Sequence, residues 1–572
     1  MKAHLLELFG AALASVAPGH ETALVFERPK QADHGDYASN IALQLARTLK
    51  QKPRDIAERI VAALPASPWI EHCEVAGAGF INVRLSVAGR SQIIGEILRA
   101  GASFGRSELG QAQRVQVEFV SANPTGPLHV GHGRGAAYGA SLANILEAAG
   151  FAVTREYYIN DAGRQMDILA LSTWLRYLEL SGVMVPFPKN AYQGDYVRDM
   201  AAQIRRAHGE RYIHEPWTVL NQTPDAEAHA EAHLDGLIAN AKRLLGQDYA
   251  YIHDFALTEQ LGDCRNDLLE FGVEFDNWFS EQSLFSSGLV ARAIDVLERN
   301  GHLYSADGAR WFRSTAFGDE KDRVVQRENG QYTYFASDIA YHLNKFERGF
   351  ARIIDVWGAD HHGYVARIKG ALSALNLDAD ALDIALVQFA VLYRGKEKVP
   401  MSTRAGSFVT LRELRAEVGN DAARFFYVLR KSDQHLDFDL ELAKARVNEN
   451  PVYYIQYAHA RICSVFAQWG GDAAELSPPQ LPLLESPRET ALMNRLADYP
   501  DVLAAAAREY APHLVAYYLK DLAADLHSYY NAEQFLVADA ALKEARLALI
   551  SATRVVLQSG LALLGVSSPD KM

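Results

Sequence analysis

Apolar residues along the first 110 positions alternate between helical and strand spacing. A period near 3.6 predicts an amphipathic helix at the N-terminus and further helices at residues 37–49 and 53–64. Alternating apolar and polar residues predict a strand at 80–85, and glycines at 101–113 predict a linker. Residues 1–110 are therefore expected to form a small α+β domain.

Residues 115–160 carry a strand–turn–helix–strand pattern. An apolar strand at 115–120 is followed by a turn rich in proline and glycine. A helix of small residues at 134–149 and a second strand at 153–159 come next. Such a β-α-β unit opens a parallel, doubly wound sheet.

Two later apolar segments, 353–357 and 384–393, predict further strands, whereas residues 170–310 predict a mostly helical insertion. From about residue 440 the helical period continues to the end. The expected fold class is α/β, with a Rossmann-type parallel-sheet domain at 111–440. The α+β domain precedes it, and an all-α bundle at 441–572 follows it.

The composition is that of an ordinary globular protein, but the charge is uneven. The 572 residues are 49% hydrophobic and carry 57 basic and 70 acidic side chains, a formal net charge of −13. An acidic average disfavours a nucleic-acid partner, because phosphate contacts need lysine and arginine. Residues 221–300 hold five basic and fifteen acidic side chains, whereas 391–431 hold nine and four. Phosphates are therefore expected on the 391–431 side, with 221–300 facing solvent.

Three widely spaced cysteines, Cys73, Cys264 and Cys463, form no Cys-x-x-Cys pair. Neither a disulfide framework nor a cysteine-rich zinc site is expected, and no metal site is predicted. The N-terminus lacks the basic start of a signal peptide, and no run of 18 apolar residues predicts a membrane span. These features predict a cytoplasmic chain with no membrane partner.

The sequence PLHVGHG at 127–133 lies between a predicted strand and a predicted helix. Sheets of this class bind ligands at the carboxyl ends of their strands, and a helix N-terminus favours phosphate. His129 and His132 could donate hydrogen bonds to charge developing on a phosphate, and Gly131 would permit close approach of a nucleotide. A metal pair and incidental surface histidines remain alternatives, although two histidines without a third ligand are weak evidence for zinc.

A second segment, 396–406, combines glycine with three cations, Lys396, Lys398 and Arg404. A basic loop of this kind can close over a polyphosphate and compensate its charge. Taken alone, the segment is equally typical of a solvated charged loop. Its occurrence together with the histidine motif favours the phosphate role.

Several segments resemble the arginyl-tRNA synthetase family of class I aminoacyl-tRNA synthetases. Residues 122–132 (ANPTGPLHVGH) are similar to the family's HIGH-type signature, and 400–404 (PMSTR) stand at its KMSKS-type loop. Further similar segments are YYINDAG at 157–163, FDNWF at 275–279, YFASDIAYH at 334–342, WGADHHGY at 357–364 and NPVYYIQYAHAR at 450–461. The resemblance extends over essentially the whole chain, whereas an isolated His-x-Gly-His also occurs in small-molecule nucleotidylyltransferases.

The resemblance implies an enzyme that activates L-arginine with ATP, accompanied by Mg²⁺, to arginyl-adenylate. It then transfers the arginyl group to the 3′ end of tRNA(Arg). The resemblance further implies that residues 1–110 contact the tRNA elbow, that 111–440 are catalytic and that 441–572 bind the anticodon. A monomer is the implied state.

The resemblance also implies roles for individual residues. Catalysis is expected of His129, His132, Lys398, Met401, Ser402, Thr403 and Arg404. ATP contacts are expected of Pro127, His129, Gly131, His132, Gly133, Gly358, Asp360 and Met401. Arginine contacts are expected of Glu118, Ser121, Asn123, His132, Tyr334, Asp338 and His361. Contacts to tRNA are expected of Tyr453, Tyr457, His459 and Arg461, although the tyrosines are also typical of a helical core.

One pair among these residues has a direct physical rationale. Tyr334 and Asp338 are one helical turn apart, so both face the same way. A carboxylate suits a guanidinium because it can accept a two-pronged, charge-assisted hydrogen bond.

The loop at 400–404 departs from the family pattern. Pro400 and Thr403 stand where lysines are usual, and Gly126 stands where some relatives carry a compensating lysine. We therefore expect Lys398 or Arg404 to supply the missing charge. The departure keeps open a non-catalytic tRNA-binding paralogue, beside a class I synthetase for another amino acid.

Overall fold

The computed structural model describes residues 1–20, 22–29, 31–399, 409–471 and 481–572. The strands are β1 (Tyr37–Ser39), β2 (Ile70–Ala76), β3 (Phe80–Leu85), β4 (Arg114–Glu118), β5 (Ala152–Ile159), β6 (Asn277–Ser280), β7 (Leu303–Ala306), β8 (Ala309–Phe312), β9 (Arg323–Gln326), β10 (Arg352–Gly358), β11 (Leu382–Val387), β12 (Ala390–Arg394), β13 (Glu397–Lys398) and β14 (Leu436–Asp439).

The helices are α1 (Lys2–Val16), α2 (Ile41–Leu49), α3 (Pro53–Ala62), α4 (Val87–Ala100), α5 (Val130–Ala148), α6 (Arg164–Leu180), α7 (Asp195–His208), α8 (Pro216–Val219), α9 (Ala230–Leu245), α10 (Asp248–Glu270), α11 (Glu281–Ser286), α12 (Leu289–Arg299), α13 (Tyr334–Glu347), α14 (Val365–Ala374), α15 (Leu411–Val418), α16 (Asn420–Val428), α17 (Leu440–Lys444), α18 (Pro451–Trp469), α19 (Pro487–Arg508), α20 (Pro512–Ala532) and α21 (Ala540–Leu563).

Five parallel strands form the sheet in the middle of the chain, in the order β11-β10-β4-β5-β6. The central strand β4 comes first in the chain. Strands β5 and β6 follow on one side of it, and β10 and β11 follow later on the other side. Ligands bind where such a sheet reverses its strand order, outside the carboxyl ends of the two diverging strands. Here those strands are β4 and β10, paired with Glu118 opposite Asp355. The sheet confirms the predicted α/β class.

The N-terminal domain has its own core. Strands β1, β3 and β2 form an antiparallel sheet beside α1–α3, with buried apolar residues from Leu5 to Leu85. The predicted helix at 37–49 is wrong in its first part, because Tyr37–Ser39 pairs with β3 and the helix begins at Ile41. Helix α4 packs against α19 and α21 instead, within the larger core.

Helix α5 begins at Val130, four residues earlier than predicted. The reciprocal capping contacts of His129 and His132 fix its first turn, and two glycines in that turn do not prevent it from forming. The histidines predicted to bind ATP therefore also determine where the helix starts.

The predicted strand at 384–393 is two strands. Strand β11 ends the central sheet at Val387, and β12 begins at Ala390 in a second sheet of order β13-β12-β14. Apolar residues continue through the break, so their pattern does not mark it. The helical insertion predicted at 170–310 is confirmed through α10 but wrong at its end, because β6 returns to the central sheet.

Helices α18–α21 form the predicted C-terminal bundle. By length and composition α21 could span a membrane, but it is mostly buried within the protein. One buried side chain, Arg424 of α16, joins this bundle to the sheet domain. Its guanidinium donates to the carbonyls of Leu564, Phe271 and Gly272 at 3.0, 3.2 and 2.9 Å. The Arg424 guanidinium therefore binds backbone carbonyls at the C-terminal ends of both α10 and α21.

Candidate active site

A cleft of about 430 Å³ opens at the carboxyl ends of β4 and β10. Its walls come from the turn after β4, the end of β5, helix α13 and the turn after β10. The cleft brings together five of the seven residues predicted to bind arginine: Glu118, Ser121, Tyr334, Asp338 and His361.

The turn after β4 contains two residues with positive φ, Val120 at 68° and Ser121 at 41°. A β-branched residue in this region is strained, and such strain is common at functional sites. The Ser121 hydroxyl donates to Glu118 Oε1 at 2.9 Å and accepts the Tyr158 backbone N–H at 3.1 Å. Ser121 therefore fixes the Glu118 carboxylate relative to β5.

Glu118, the last residue of β4, is held from a second side by a buried ammonium. Lys345 Nζ donates to Glu118 Oε2 at 2.5 Å and to Asp355 Oδ1 at 2.7 Å. Burial raises the pKa of Glu118, and the Lys345 ammonium works against that rise. With both oxygens positioned by donors, this carboxylate is suited to accept a further hydrogen bond from a cationic ligand.

Helix α13 brings Tyr334 and Asp338 to the cleft one turn apart, as predicted. The Tyr364 hydroxyl donates to the Asp338 carboxylate. Burial raises the pKa of Asp338 to about 6, so this group titrates close to neutral pH. Tyr334, the first residue of α13, is 58% exposed and therefore accessible to a ligand.

Sequence reasoning missed a further carboxylate near Asp338. It belongs to Glu281, the first residue of α11. The side-chain amide of Asn160, in the orientation that satisfies its neighbours, donates to Glu281 Oε2 at 2.8 Å. Burial, Asp338 and Asp161 together raise the pKa of Glu281 to about 7. Its place directly after β6, at the same sheet edge as Glu118, is the signal that could have identified it.

His129 and His132 are held at the first turn of α5 by the helix backbone. The Gly131 N–H donates to His129 Nδ1 at 3.0 Å, and the His129 N–H donates to His132 Nδ1 at 3.3 Å. Because each Nδ1 accepts, each neutral ring carries its proton on Nε2. Burial lowers the pKa of both rings, that of His132 to about 3, so both are neutral hydrogen-bond donors at physiological pH.

Sequence reasoning also missed an exposed aromatic ring, that of Phe389, beside the first turn of α5. A Cβ placed on Gly131 would lie 3.5 Å from the Phe389 ring, and one on Gly358 would lie 3.6 Å from it. Phe389 is 46% exposed, although phenylalanine is usually buried. The buried Arg134 guanidinium donates to the Gln388 carbonyl at 2.8 Å and fixes the backbone before the ring. The ring thus lies beside two glycines predicted to bind ATP.

The structure corrects the ATP contact predicted for Gly133. This glycine is buried, and a Cβ there would come within 2.8 Å of Tyr427 and 2.9 Å of Leu411. Its small size therefore serves the packing of α5.

Three other predicted ligand residues, Asn123, Asp360 and Pro127, lie around the cleft. Asn123 is exposed, and its side-chain amide meets that of Asn160, a lining residue, at 3.0 Å. Asp360 and His361 are exposed in the turn after β10, with Nε2 and Oδ2 3.8 Å apart. Pro127 is half-buried two residues before His129.

The expected catalytic loop lies partly outside the described residues, which do not include Met401, Ser402, Thr403 and Arg404. On its N-terminal side, Lys398 is exposed at the end of β13. On its C-terminal side, the Val409 carbonyl accepts the Val130 N–H at 3.1 Å, and the Leu411 N–H donates to the Leu128 carbonyl at 2.8 Å. The chain after the loop is therefore attached to the histidine turn.

Basic side chains of residues 391–431 are partly neutralised by acids of the insertion. Arg412 pairs with Asp263 at 2.6 Å, and Arg415 pairs with Asp267 at 2.6 Å. The expectation that the acidic segment faces solvent is therefore wrong for this part of α10, which packs against the basic segment.

Tyr453, Tyr457 and Arg461 form a ladder on α18, each one turn from the next. The two tyrosine rings stack with centroids 5.9 Å apart, and the Arg461 guanidinium lies 4.5 Å from the Tyr457 centroid. All three are half-buried, so part of each ring remains accessible. His459 is fully buried with Nδ1 3.0 Å from the Pro569 carbonyl, and its predicted tRNA contact is wrong.

Family profiles match three parts of the chain. The "Arginyl tRNA synthetase N terminal domain" matches residues 3–85, and the "DALR anticodon binding domain" matches 455–572. The profile "tRNA synthetases class I (R), catalytic domain" matches 93–181 and 252–467, more than half of the chain.

Relatives match over the full length. The arginine–tRNA ligase of Azoarcus sp. is 66% identical over 583 residues, covering 100% of this chain and 99% of the relative. That of Nitrosospira multiformis is 66% identical over 547 residues, covering 96% and 94%. The solved arginyl-tRNA synthetase of Thermus thermophilus has a TM-score of 0.73 at 25% identity and covers all of both chains.

A nucleotide-type cleft at the switch point of a parallel sheet and the catalytic-domain profile together define a class I aminoacyl-tRNA synthetase. Identity of 66% along entire relatives is specific for one member of that class. The chain belongs to the arginyl-tRNA synthetase family and is an arginine–tRNA ligase. The resemblance is confirmed, and the two rival functions are set aside.

Proposed function

We propose that the cleft holds arginine with its guanidinium at Asp338 and Glu281 and its α-ammonium at Glu118. The observation that supports this most is that Glu118 of β4 and Asp338 of α13 line one cavity of about 430 Å³, while Asn160 of the same lining donates to Glu281 of α11. Arginine carries two cationic groups, and each needs an acceptor when water is removed. Tyr334, Ser121, Asn123, His132 and His361 complete the contacts of the substrate.

The first step forms arginyl-adenylate. An oxygen of the arginine carboxylate attacks the α-phosphorus of ATP, and the bond from that phosphorus to pyrophosphate breaks. The Nε2–H groups of His129 and His132 donate to α-phosphate oxygens, which gain negative charge in the transition state. Mg²⁺ enters with ATP as part of the substrate and is held mainly by the phosphates.

The second step loads the tRNA. A hydroxyl of the terminal ribose attacks the arginyl carbonyl, its proton is lost, and the bond to AMP breaks. The product is an ester of arginine at the 3′ end of tRNA(Arg), with AMP released.

The adenine of ATP is proposed to lie on the exposed ring of Phe389, between Gly131 and Gly358. Aromatic rings stack on bases through their faces, and glycines leave room for a flat ligand. Pro127 and Asp360 are placed at the edges of the same site.

The charge of the pyrophosphate is proposed to be met by Lys398 or Arg404, in place of the lysines that the loop lacks. Combined K398A and R404A substitutions should slow aminoacylation, because they remove the cations nearest Met401, Ser402 and Thr403 in the chain. An unchanged rate would exclude both side chains.

The tRNA is proposed to contact residues 1–110 at its elbow and residues 441–572 at its anticodon, with residues 111–440 catalytic between them. Tyr453, Tyr457 and Arg461 are the proposed anticodon contacts, because a half-exposed aromatic ladder suits unstacked bases. A monomer in the cytoplasm remains part of this proposal.

Asp338→Asn tests the arginine site. The amide cannot supply the second charged acceptor, so the KM for arginine in tRNA-dependent pyrophosphate exchange should rise by about 10- to 100-fold. Glu347→Gln, an exposed acid at the far end of the same helix, is the matched control and should leave that KM unchanged. A D338N enzyme with the arginine KM of the parent would contradict the assignment.

A further inference from the structure

A fully buried lysine lies next to the proposed α-ammonium site. The Lys345 side chain is 0% exposed, and its Nζ bridges Glu118 Oε2 and Asp355 Oδ1. Nζ also lies 4.3 Å from the centroid of the Tyr341 ring. A charge removed from water in this way is costly unless its partners repay the desolvation. Two carboxylates and an aromatic face do so here.

The same lysine belongs to a chain of contacts that returns to the guanidinium site. Asp355 accepts from Lys345 and, at 2.9 Å, lies against His342 Nε2. The other ring nitrogen of His342 lies 2.8 Å from the Asp338 backbone carbonyl. Asp338, His342 and Lys345 follow each other at intervals of four and three residues, so they share one face of α13.

We propose that Lys345 is a positioning residue for arginine: it holds Glu118 ionised and fixed, so that Oε1, beside the bond it accepts from Ser121, can accept a second hydrogen bond from the α-ammonium of the substrate. Lys345 acts through Glu118 and does not touch arginine. The inference rests on the proposed function of Glu118 as the ammonium acceptor.

Burial and charge explain why Glu118 needs such a partner. Burial raises the pKa of Glu118, and Asp355 nearby raises it further, while Lys345 opposes both effects. Without the ammonium, the donor that opposes this rise at Oε2 would be lost, and the pKa of Glu118 would be higher still. Asp355 does not face the same problem, because Lys345 and His342 outweigh its burial and lower its pKa to about 2.

The charged and titratable groups around Glu118 come from several elements. They are Lys345, His342, Asp338, Tyr341 and Arg348 from α13 and its end, Asp355 from β10, and Tyr158 from β5. Lys345 is the cation that donates directly to the Glu118 carboxylate among the described residues. Its removal should therefore dominate any change in the charge of Glu118.

Lys345→Met keeps an unbranched side chain only one atom shorter than lysine and removes the charge. In tRNA-dependent pyrophosphate exchange near neutral pH, we expect the KM for arginine to rise by about tenfold or more, since a charge-assisted contact is lost. The KM for ATP should stay within about twofold. The arginine KM of the variant should recover as the pH is raised, because hydroxide then ionises Glu118 without the lysine.

Arg546→Met is the matched control for losing a buried cation. Arg546 pairs with Glu489 inside the helical bundle, where the two side chains are 10% and 1% exposed. Its loss should lower the melting temperature without raising the arginine KM. Equal rises in the arginine KM of K345M and R546M would show that Lys345 has only a structural role and would overturn the proposal.

The double variant E118Q/K345M separates the inference from the function on which it rests. If Lys345 acts through Glu118, adding K345M to E118Q should change the arginine KM by less than about twofold. A further loss of about tenfold would overturn the inference, and this comparison holds even if K345M alone fails to fold. An unchanged arginine KM in E118Q alone would instead refute the proposed role of Glu118.

Discussion

The rings of His129 and His132 stack with their centroids 3.7 Å apart and their planes inclined by 24°. Two imidazolium ions could not lie so close without strong repulsion, and the nearby charge of His129 contributes to the lowered pKa of His132. The pair is therefore neutral, and both Nδ1 atoms accept backbone N–H groups. Each ring therefore carries its single proton on Nε2, at the start of a helix.

Two substitutions of His132 should show whether activity depends on the Nε2–H donor or only on the presence of an imidazole ring. In glutamine the terminal nitrogen lies close to the position of Nε2, whereas in asparagine it lies close to Nδ1. We expect H132N to lower the kcat of pyrophosphate exchange by about 10²- to 10³-fold, as for loss of one transition-state donor, and H132Q to retain more activity. Equal activity of H132N and H132Q, with equal melting temperatures, would contradict a role for Nε2–H.

The two carboxyls with raised pKa values should make arginine binding depend on pH. Burial raises the pKa of Glu281 to about 7 and that of Asp338 to about 6, so protons occupy both groups as the pH falls through this range. Arginine binds the ionised forms, so its KM should rise as the pH falls, by up to about tenfold per unit for each group.

Pyrophosphate exchange measured from about pH 8 down to about pH 5.5 tests this dependence. The E281Q variant should lose the part of the dependence that lies near pH 7. The KM for ATP serves as the internal control, because His132 stays neutral throughout that range. An arginine KM that is flat with pH would contradict the assignment of these carboxyls to the guanidinium.

Phe389 should matter for ATP and not for arginine. Removing a stacking ring costs about 1–3 kcal/mol per base, so F389A should raise the KM for ATP by about tenfold or more. F389Y keeps the aromatic face and should behave like the parent. A rise in the arginine KM equal to that in the ATP KM would indicate a general distortion of the cleft instead of lost stacking.

The sequence was sufficient for the fold class and for much of the site, because both rest on local patterns. Strand Arg114–Glu118, the glycine-rich helix and the Tyr334–Asp338 turn follow from periodicity and spacing. Glu281 was missed because its place at the sheet edge becomes clear only once β6 is known to join the central sheet, and Phe389 was missed because its neighbours Gly131 and Gly358 are distant in sequence. The end of strand β11 at Val387 and the start of β12 at Ala390 could not be predicted, because apolar residues occupy both sides of the break.

The ligand contacts predicted for two individual residues were wrong for the same reason, because they depend on packing between distant segments. Gly133 and His459 lie within segments that resemble functional motifs, but helix periodicity turns both toward the core. The strained φ of Val120 leaves no mark in the sequence, because the residue type itself disfavours that conformation. The resemblance therefore identified the family correctly, while packing determines which residues of these segments are accessible to a ligand.

Tyr457 should contribute to tRNA binding alone. Y457A is expected to raise the KM for tRNA by about tenfold, the cost of one lost base–aromatic stack, with Y457F close to the parent. The KM values for ATP and arginine should not change, since the ladder lies on α18 and not in the cleft. Unaltered tRNA binding by Y457A would show that this ladder is part of the core only.

Two glycines of α5 offer a paired test of packing. A Cβ at Gly133 would meet Tyr427 at 2.8 Å and Leu411 at 2.9 Å, whereas one at Gly135 meets nothing within 4 Å. G133A should therefore destabilise the protein by about 1–3 kcal/mol, and G135A should be neutral or stabilising by up to about 1 kcal/mol. Chemical unfolding of both variants measures the difference, and equal stabilities would contradict the packing described for α5.

The central claim is that one carboxylate-lined cleft selects arginine for attachment to tRNA. Aminoacylation of total tRNA, with each of the twenty amino acids offered separately alongside MgATP, tests it most directly. Arginine alone should be attached, and E281Q and D338N should weaken this attachment by raising the arginine KM. Attachment of another amino acid at a comparable rate, or tRNA binding with no attachment of arginine, would contradict it.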